Sequence, residues 1–248
     1  MPDDIGIMAR KAPRRTSAAS LWLGIVAVVL AVSGAYGAGA GLWPFPIGLL
    51  MVAAAFLAGV IAGLAGFFAA IRNPQASGFG RRIAIGLLLS GVVLIAIGPW
   101  IYRGVHFPPI HDVTTDLANP PGFNVIPPRK DNLAGVQTLE RWRTLHRAAY
   151  ADIAPIKIEM TPDKVIGLAN TLAAERGWVI SPSAAGRIEA TATGSPFRFK
   201  DDIVVVATAN IDGRSSTVNM RSVSRVGVSD FGINAERVRE FLRALKKR

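Results

Sequence analysis

The chain has 248 residues, half of them hydrophobic, and its mean hydropathy of +0.35 is high for a soluble protein. Its formal net charge is +11, from 28 Lys and Arg against 17 Asp and Glu. The absence of cysteine excludes disulfides and thiolate metal sites. The hydrophobic excess lies in the first 102 residues, so we expect a membrane domain followed by one soluble domain.

A long charge-free run opens the chain. From Thr16 to Ile71, 56 residues pass without Asp, Glu, Lys or Arg. A helix needs about 20 apolar residues to cross a bilayer, so the run predicts two spans, at about 18–40 and 46–71. The glycines, prolines and Trp43 between them predict a tight, uncharged reversal.

A second charge-free run, from Ile83 to Tyr102, predicts a third span at about 83–101. No charged residue and no histidine lies within the three predicted spans. Intramembrane charges mark ion and proton pathways. Their absence therefore favours an anchor over a transporter or channel.

The basic residues beside the spans predict the orientation. They fall before the first span and in the second loop, at Arg10, Lys11, Arg14, Arg15, Arg72, Arg81 and Arg82. Short cytoplasmic loops are rich in Lys and Arg, so residues 1–17 are predicted to be cytoplasmic. Three crossings then place the soluble domain in the periplasm of a bacterial inner membrane. A cleaved signal peptide ending near 38–40 is an alternative, and it leaves the domain on the same side.

The second predicted span carries a stripe of small residues at Gly59, Gly63 and Gly66. Small residues let helix backbones approach closely. The stripe predicts either packing against another span of the same chain or a homo-oligomer formed through Gly59 and Gly63.

The soluble half begins with a Pro- and Asn-rich segment, 104–130, which predicts an extended linker into a domain at 131–248. A helical pattern covers 135–150, and a short alternating strand follows at 156–160. Thr161, Pro162 and Asp163 predict a helix start, and that helix ends at Gly177.

Beyond Trp178 the hydrophobic period changes to alternation. The pattern predicts four strands with short turns, at 178–181, 187–193, 202–210 and 215–224, and then a helix at 234–247. Short turns favour antiparallel pairing. The predicted fold class is therefore an α+β domain, an antiparallel sheet with helices on one face, behind a three-span helical anchor.

Several segments of the soluble half resemble a known family of bacterial and plastid proteins, domain of unknown function 1499 (DUF1499). They are Pro109–Asp116, Tyr150–Pro155, Ile188–Thr193, Phe199–Asp202, Arg221–Gly227 and Ser229–Ala235. The resemblance spans nearly the whole soluble half, and an N-terminal membrane anchor is compatible with it. It implies no activity, since none is established for the family.

The polar run 221–234 is the leading candidate for a ligand site. Arg221 and Arg225 share a face of the predicted strand, where two guanidinium groups could hold a carboxylate or phosphate. The start of the next helix also favours anions. Alternatively, these residues pair with one another and cap the helix. The candidate set is Asp201, Asp202, Arg221, Ser224, Arg225, Ser229, Asp230 and Asn234.

Other polar residues carry weaker signals. His106, His111, Asp112 and Asp116 could ligate a metal, or they could be interfacial residues or part of an edge strand. His146 is predicted on a solvated helix face. No serine lies in a G-x-S-x-G elbow. We therefore name no catalytic residue, metal or cofactor.

The predicted function is a periplasmic binding or scaffolding domain that holds an anionic or lipid-like ligand. The alternative is a hydrolase-like envelope enzyme that uses Asp and Ser residues of 221–234. The expected partners are the lipid bilayer and an envelope ligand or membrane protein, and no nucleic acid.

Overall fold

The computed structural model describes residues 3–72, 80–127 and 129–248, with side chains from residue 15 onward. The chain divides into two compact units, Met1–Ile101 and Tyr102–Arg248.

The first unit is helical. Its helices are α1 (Asp3–Val32), continued by a π-helical turn at Ser33–Gly37, then α2 (Phe45–Arg72) and α3 (Gly80–His106). Three candidate membrane spans follow from length and composition, at Arg15–Gly37, Phe45–Arg72 and Gly80–His106. The predicted three-span helical anchor is thus confirmed. Helix α3 extends past the predicted 101 and stops ahead of two consecutive prolines, which disfavour a helical residue before them.

The small-residue stripe of α2 faces α3 in the same chain. The Ser90 hydroxyl donates to the Gly59 carbonyl at 2.5 Å, and a Cβ atom on Gly59 would lie 3.3 Å from Val93. A Cβ on Gly63 would meet the same Ser90 hydroxyl at 2.8 Å. The structure thus shows the intramolecular packing, and a homo-oligomer through these glycines stays a prediction.

The second unit is built on an antiparallel sheet. In the described residues it has six strands: β1 (Asp112–Thr114), β2 (Ile156–Ile158), β3 (Val179–Ser181), β4 (Arg187–Gly194), β5 (Phe199–Ala209) and β6 (Ser216–Ser224). The order is β1-β6-β5-β4-β3, and β2 also pairs with β6. Strand β5 begins three residues before the predicted 202.

The helices of this unit are α4 (Leu139–Ala149), α5 (Pro162–Glu175) and α6 (Ile233–Lys246). The buried stripes of α5 and α6 join alternate residues of β4, β5 and β6 in one hydrophobic core. Alternate residues of a strand share a face, so these helices cover one face of the sheet. The predicted α+β fold class is confirmed.

The segment 104–130, predicted as a linker, belongs to this unit. It contains the end of α3 and strand β1, which pairs with β6. Residues 121–127, which we call the strap, lie against the face of the sheet opposite the helices. The strap forms part of the candidate site described next.

Candidate functional site

The strand register divides the predicted site residues between the two faces of the sheet. Arg221 lies opposite Val204, which lies opposite Glu189. Directly opposed residues point to the same face. Arg221 and Glu189 therefore share the face away from the helices, as does Asp202, which is two residues from Val204. Asp201 and Ser224 point to the helix face.

On the helix face, the polar residues bond to one another. Asn234 is fully buried, and its amide donates to the Ser224 hydroxyl at 2.9 Å. The Ser222 hydroxyl donates to Asn234 Oδ1 at 2.6 Å. Arg237 pairs with Asp201 at 2.7 Å. This network joins α6 to the sheet, and its members satisfy one another's hydrogen bonds.

Asp230 serves the start of α6. Its two carboxylate oxygens accept the backbone N–H groups of Gly232 at 2.9 Å and Asn234 at 2.6 Å. Burial is the main reason that the pKa of Asp230 is raised to about 6. The Ser229 hydroxyl donates to the Pro108 carbonyl at 3.3 Å. The contacts of Asp230, but not that of Ser229, correspond to the helix-capping alternative.

On the opposite face, Arg221 of β6 pairs with a carboxylate of the neighbouring strand β1. Its Nε and Nη2 donate to the two oxygens of Asp112 at 2.9 and 2.6 Å. Asp112 is 2% exposed and also accepts from the amide of Asn132 at 2.5 Å. Arg221 Nη1 donates to the strap at the Pro121 carbonyl, 3.2 Å away. All three donating nitrogens of Arg221 are therefore engaged within the protein.

Arg225 keeps one edge open. Its Nε and Nη2 each donate to Asp202 at 2.8 Å, and Nη2 also donates to the Thr191 hydroxyl at 3.1 Å. The hydrogen bond to Asp202 raises the pKa of Arg225. The side chain is 42% exposed, and Nη1 donates to no group in the part of the chain that the structure describes.

Arg129 lines the same site as Arg221 and Arg225, and it is not among the site residues predicted from the sequence. Its Nη1 donates to the Ser224 and Gly227 carbonyls at 3.1 and 2.8 Å. The other two nitrogens pair with Asp131, whose side chain is 67% exposed. Arg129 follows two prolines in an irregular segment, where no periodic pattern indicates which face it meets.

These side chains surround a cleft between the strap and the sheet. Its volume is about 220 Å³. Three arginines, one aspartate, an asparagine and a serine line it together with apolar groups, among them Arg129, Arg221, Arg225, Asp202, Phe123 and Val223. The formal charge of these lining side chains is +2 (three minus one). We call this site the arginine cleft.

A buried carboxylate on β4 binds three backbone N–H groups of the strap. Glu189 is fully buried, and it accepts the backbone N–H groups of Asn124, Val125 and Ile126 at 2.6, 3.0 and 2.8 Å. Burial acts to raise the pKa of Glu189, but the amide hydrogen bonds outweigh it and the pKa is lowered. Arg187 bonds both Glu189 and the Gly122 carbonyl. The wall of the cleft thus depends on β4.

The histidines form no metal site with the other residues that the structure describes. Within the described ranges, no group of three or more His, Asp or Glu side chains is placed to hold a metal ion. The prediction that His146 is solvated is wrong, because the residue is fully buried between Trp142 and Tyr150. Its Nε2 accepts the Thr114 N–H at 3.1 Å. His111 is also buried, at 2% exposure.

A serine nucleophile needs a neighbouring base. In the residues that the structure covers, no histidine nitrogen bonds a serine hydroxyl: His146 meets a backbone amide, and His106 meets the Tyr102 carbonyl at 2.8 Å. The hydroxyls of Ser224 and Ser229 are engaged as described above. The guanidinium groups that line the cleft are of the type that pairs with carboxylates and phosphates.

The comparison with known proteins identifies the family. No curated protein and no solved structure matches the chain. The model of one family, described as Protein of unknown function (DUF1499), matches residues 112–245, from β1 through α6. The match covers more than half of the chain and contains every strand of the sheet. The chain therefore belongs to the DUF1499 family.

Proposed function

We propose that this protein is a membrane-anchored binding module that holds an anionic ligand in the arginine cleft. The observation that carries the proposal is the open edge of Arg225 in a cleft lined by three arginines and one aspartate. Guanidinium groups bind carboxylates and phosphates through paired N–H donors. In a cleft partly screened from water, such pairs are stronger than at an open surface.

The three arginines have different parts in this function. Arg221 bonds a buried carboxylate and the strap, so it shapes the cleft. Arg129 shares its charge with an exposed aspartate, which a ligand can displace at little cost. Arg225 has an open edge at Nη1, so its guanidinium is the group that contacts the ligand first.

The anchor suits a binding or scaffolding role in a bacterial inner membrane. We infer a cytoplasmic N-terminus and a periplasmic binding domain, from the basic residues before the first span and in the second loop. The ligand is then an anion of the envelope, either free or carried by a lipid or membrane protein.

The hydrolase alternative finds no such support. Asp230 holds the start of α6 and Asp202 holds Arg225. Ser224 lines the arginine cleft, but its hydroxyl accepts from Asn234 on the helix face, and Asp230 does not line the cleft. We therefore do not carry the hydrolase forward.

Anion titration of the full chain tests the binding role. In neutral phosphatidylcholine nanodiscs, we expect inorganic phosphate to bind the wild-type protein and binding to weaken at least about tenfold in Arg225→Gln, the loss of one charge-assisted contact. Arg243→Gln is the matched control, because Arg243 is an exposed arginine of α6 outside the cleft. Equal binding by wild type and Arg225→Gln would reject the arginine cleft as the site.

A further inference from the structure

The arginine cleft is not lined by charge alone. Phe123, Pro127 and Val223 lie in its wall beside the arginines. The guanidinium of Arg221 stands over the Phe123 ring, 6.0 Å from its centroid. A phenyl ring and a valine in the lining would not stabilise a bare inorganic anion, because contact between apolar surface and a hydrated ion is not favourable.

The size of the cleft limits what it encloses. Its 220 Å³ is below the range of about 300–1,000 Å³ that is usual for sites of drug-sized ligands. The cleft therefore takes a small molecule, or one end of a larger one. The anionic end belongs at the open edge of Arg225, and Phe123, Pro127 and Val223 form the apolar part of the lining.

We propose that the arginine cleft binds a small anionic amphiphile, a phosphate monoester or a free carboxylate with an apolar substituent, with the anion on Arg225 and the substituent against Phe123 and Val223. This inference rests on the proposed function, because it names the ligand class of the same site. A soluble monoester and the headgroup region of an anionic lipid share this chemistry.

The position of Phe123 supports the division of the cleft. The ring belongs to the strap, and the next three residues donate their N–H groups to the buried Glu189. Arg187 bonds the preceding carbonyl of Gly122. The backbone on both sides of Phe123 is thus fixed to β4, so the ring is held in the cleft before a ligand arrives. Such preorganisation lowers the entropy cost of binding.

Paired ligands separate this inference from the anion-binding role. Inorganic phosphate and hexyl phosphate are titrated calorimetrically into the full chain in neutral phosphatidylcholine nanodiscs, with empty nanodiscs correcting for partition of the alkyl chain. We expect hexyl phosphate to bind at least about tenfold more tightly, the factor expected from burial of about two methylene groups. Phe123→Ala should remove that preference and leave phosphate binding unchanged. Phe197→Ala, a partly buried phenyl outside the cleft, should leave both unchanged.

The outcomes are distinct. Equal affinity for the two ligands, with both weakened by Arg225→Gln, would overturn the amphiphile and keep the anion site. No binding of either ligand would overturn both proposals. If Arg225→Gln unfolds, Arg225→Lys keeps the charge but loses the fork-shaped donor pair, and it should still weaken both ligands.

A titration in the presence of an anionic lipid distinguishes a ligand from the membrane from a soluble ligand. The hexyl phosphate titration is repeated in nanodiscs that contain phosphatidate. A weaker apparent affinity than in neutral nanodiscs assigns the amphiphile to the membrane, and an unchanged affinity assigns it to a soluble ester. A Phe123→Ala protein that retains the wild-type preference for hexyl phosphate in neutral nanodiscs would contradict the inference in either case.

Discussion

At the scale of single residues, the partner of each arginine decides what that arginine can do. Arg221 lies in β6, Arg225 directly follows β6, and both line the same cleft. Arg221 is paired with an aspartate that is 2% exposed, while Arg225 is 42% exposed and has a free edge. The first is therefore part of the structure, and the second is available to a ligand.

Removing Arg221 should destabilise the domain. Arg221→Ala leaves Asp112 as a buried charge without its bidentate partner, and breaking a buried pair in this way costs about 3 kcal/mol or more. We expect a loss of this size in urea titrations of the full chain in nanodiscs, read by proteolysis of the unfolded domain. Arg243→Ala, at an exposed position, should stay within about 0.5 kcal/mol of wild type. A stable Arg221→Ala protein would contradict the structural role.

The buried His146 should make stability depend on pH. Burial lowers its pKa below the ordinary 6.5, against the opposing effect of Asp112 and with a smaller lowering from Arg239. The unfolded chain therefore takes up the proton first, and stability is lost as the pH falls from 6.5 toward the folded pKa. Each pH unit by which the pKa of His146 in the folded protein lies below 6.5 corresponds to about 1.4 kcal/mol in the free energy of unfolding at acid pH.

His146→Gln keeps an acceptor for the Thr114 N–H and removes the titration. It should lose less stability than wild type between pH 7 and pH 5, measured by the same urea titrations. Asp230, whose raised pKa of about 6 acts in the opposite direction, is present in both proteins and cancels in the difference. Parallel pH profiles for the two proteins would show that His146 does not carry the effect.

At the scale of elements, the strap is the part that the local pattern describes least well. Its two prolines and its asparagine predict an irregular linker, and the segment is irregular. Its contact with the sheet depends on Glu189, a residue 63 to 65 positions away in the chain. Local patterns carry no information on such a pairing, so the wall of the cleft was not predicted.

Glu189→Gln tests this anchor. A glutamine offers one carbonyl oxygen and an NH₂ group where three backbone N–H donors converge, so the strap should loosen. Hydrogen–deuterium exchange of the amides of 124–126 should rise at least about tenfold, since each hydrogen bond to a charged group is worth about 1.5–3 kcal/mol. Glu159→Gln removes a carboxylate that is 73% exposed and should leave these amides protected. Unchanged exchange in Glu189→Gln would exclude Glu189 as the anchor.

At the scale of the whole molecule, three apolar helices precede a domain with its own core. The candidate site lies in that domain, and the sequence runs 16–71 and 83–102 contain no Asp, Glu, Lys, Arg or His, the side chains that mark ion pathways. We propose on this basis that the spans serve as an anchor and that the second unit is the binding domain. The side of the membrane on which the cleft lies determines which ligands can reach it.

Reporter fusions test the proposed orientation. Alkaline phosphatase fused after Arg248 should be active, because it folds only in the periplasm, and a fluorescent reporter that matures only in the cytoplasm should stay dark there. Replacing Arg10, Lys11, Arg14 and Arg15 with Asn and Gln removes the positive charge before the first span, and it should increase the fraction of chains inserted in the opposite orientation. An inactive phosphatase beside a bright cytoplasmic reporter would place the cleft in the cytoplasm.

The sequence by itself determined the spans, the α+β class, most strand positions and the family, because these depend on hydrophobic periodicity, turn residues and contiguous motifs. It also placed Arg221 and Arg225 on one face. Only the tertiary structure decided that Asp201, Ser224 and Asn234 lie on the other face, under α6. It alone paired Arg221 with Asp112, 109 residues away, and brought Arg129 and the strap to the cleft. Ion pairs and strand registers between distant segments form only when the chain folds, so the composition of the cleft is a property of the fold.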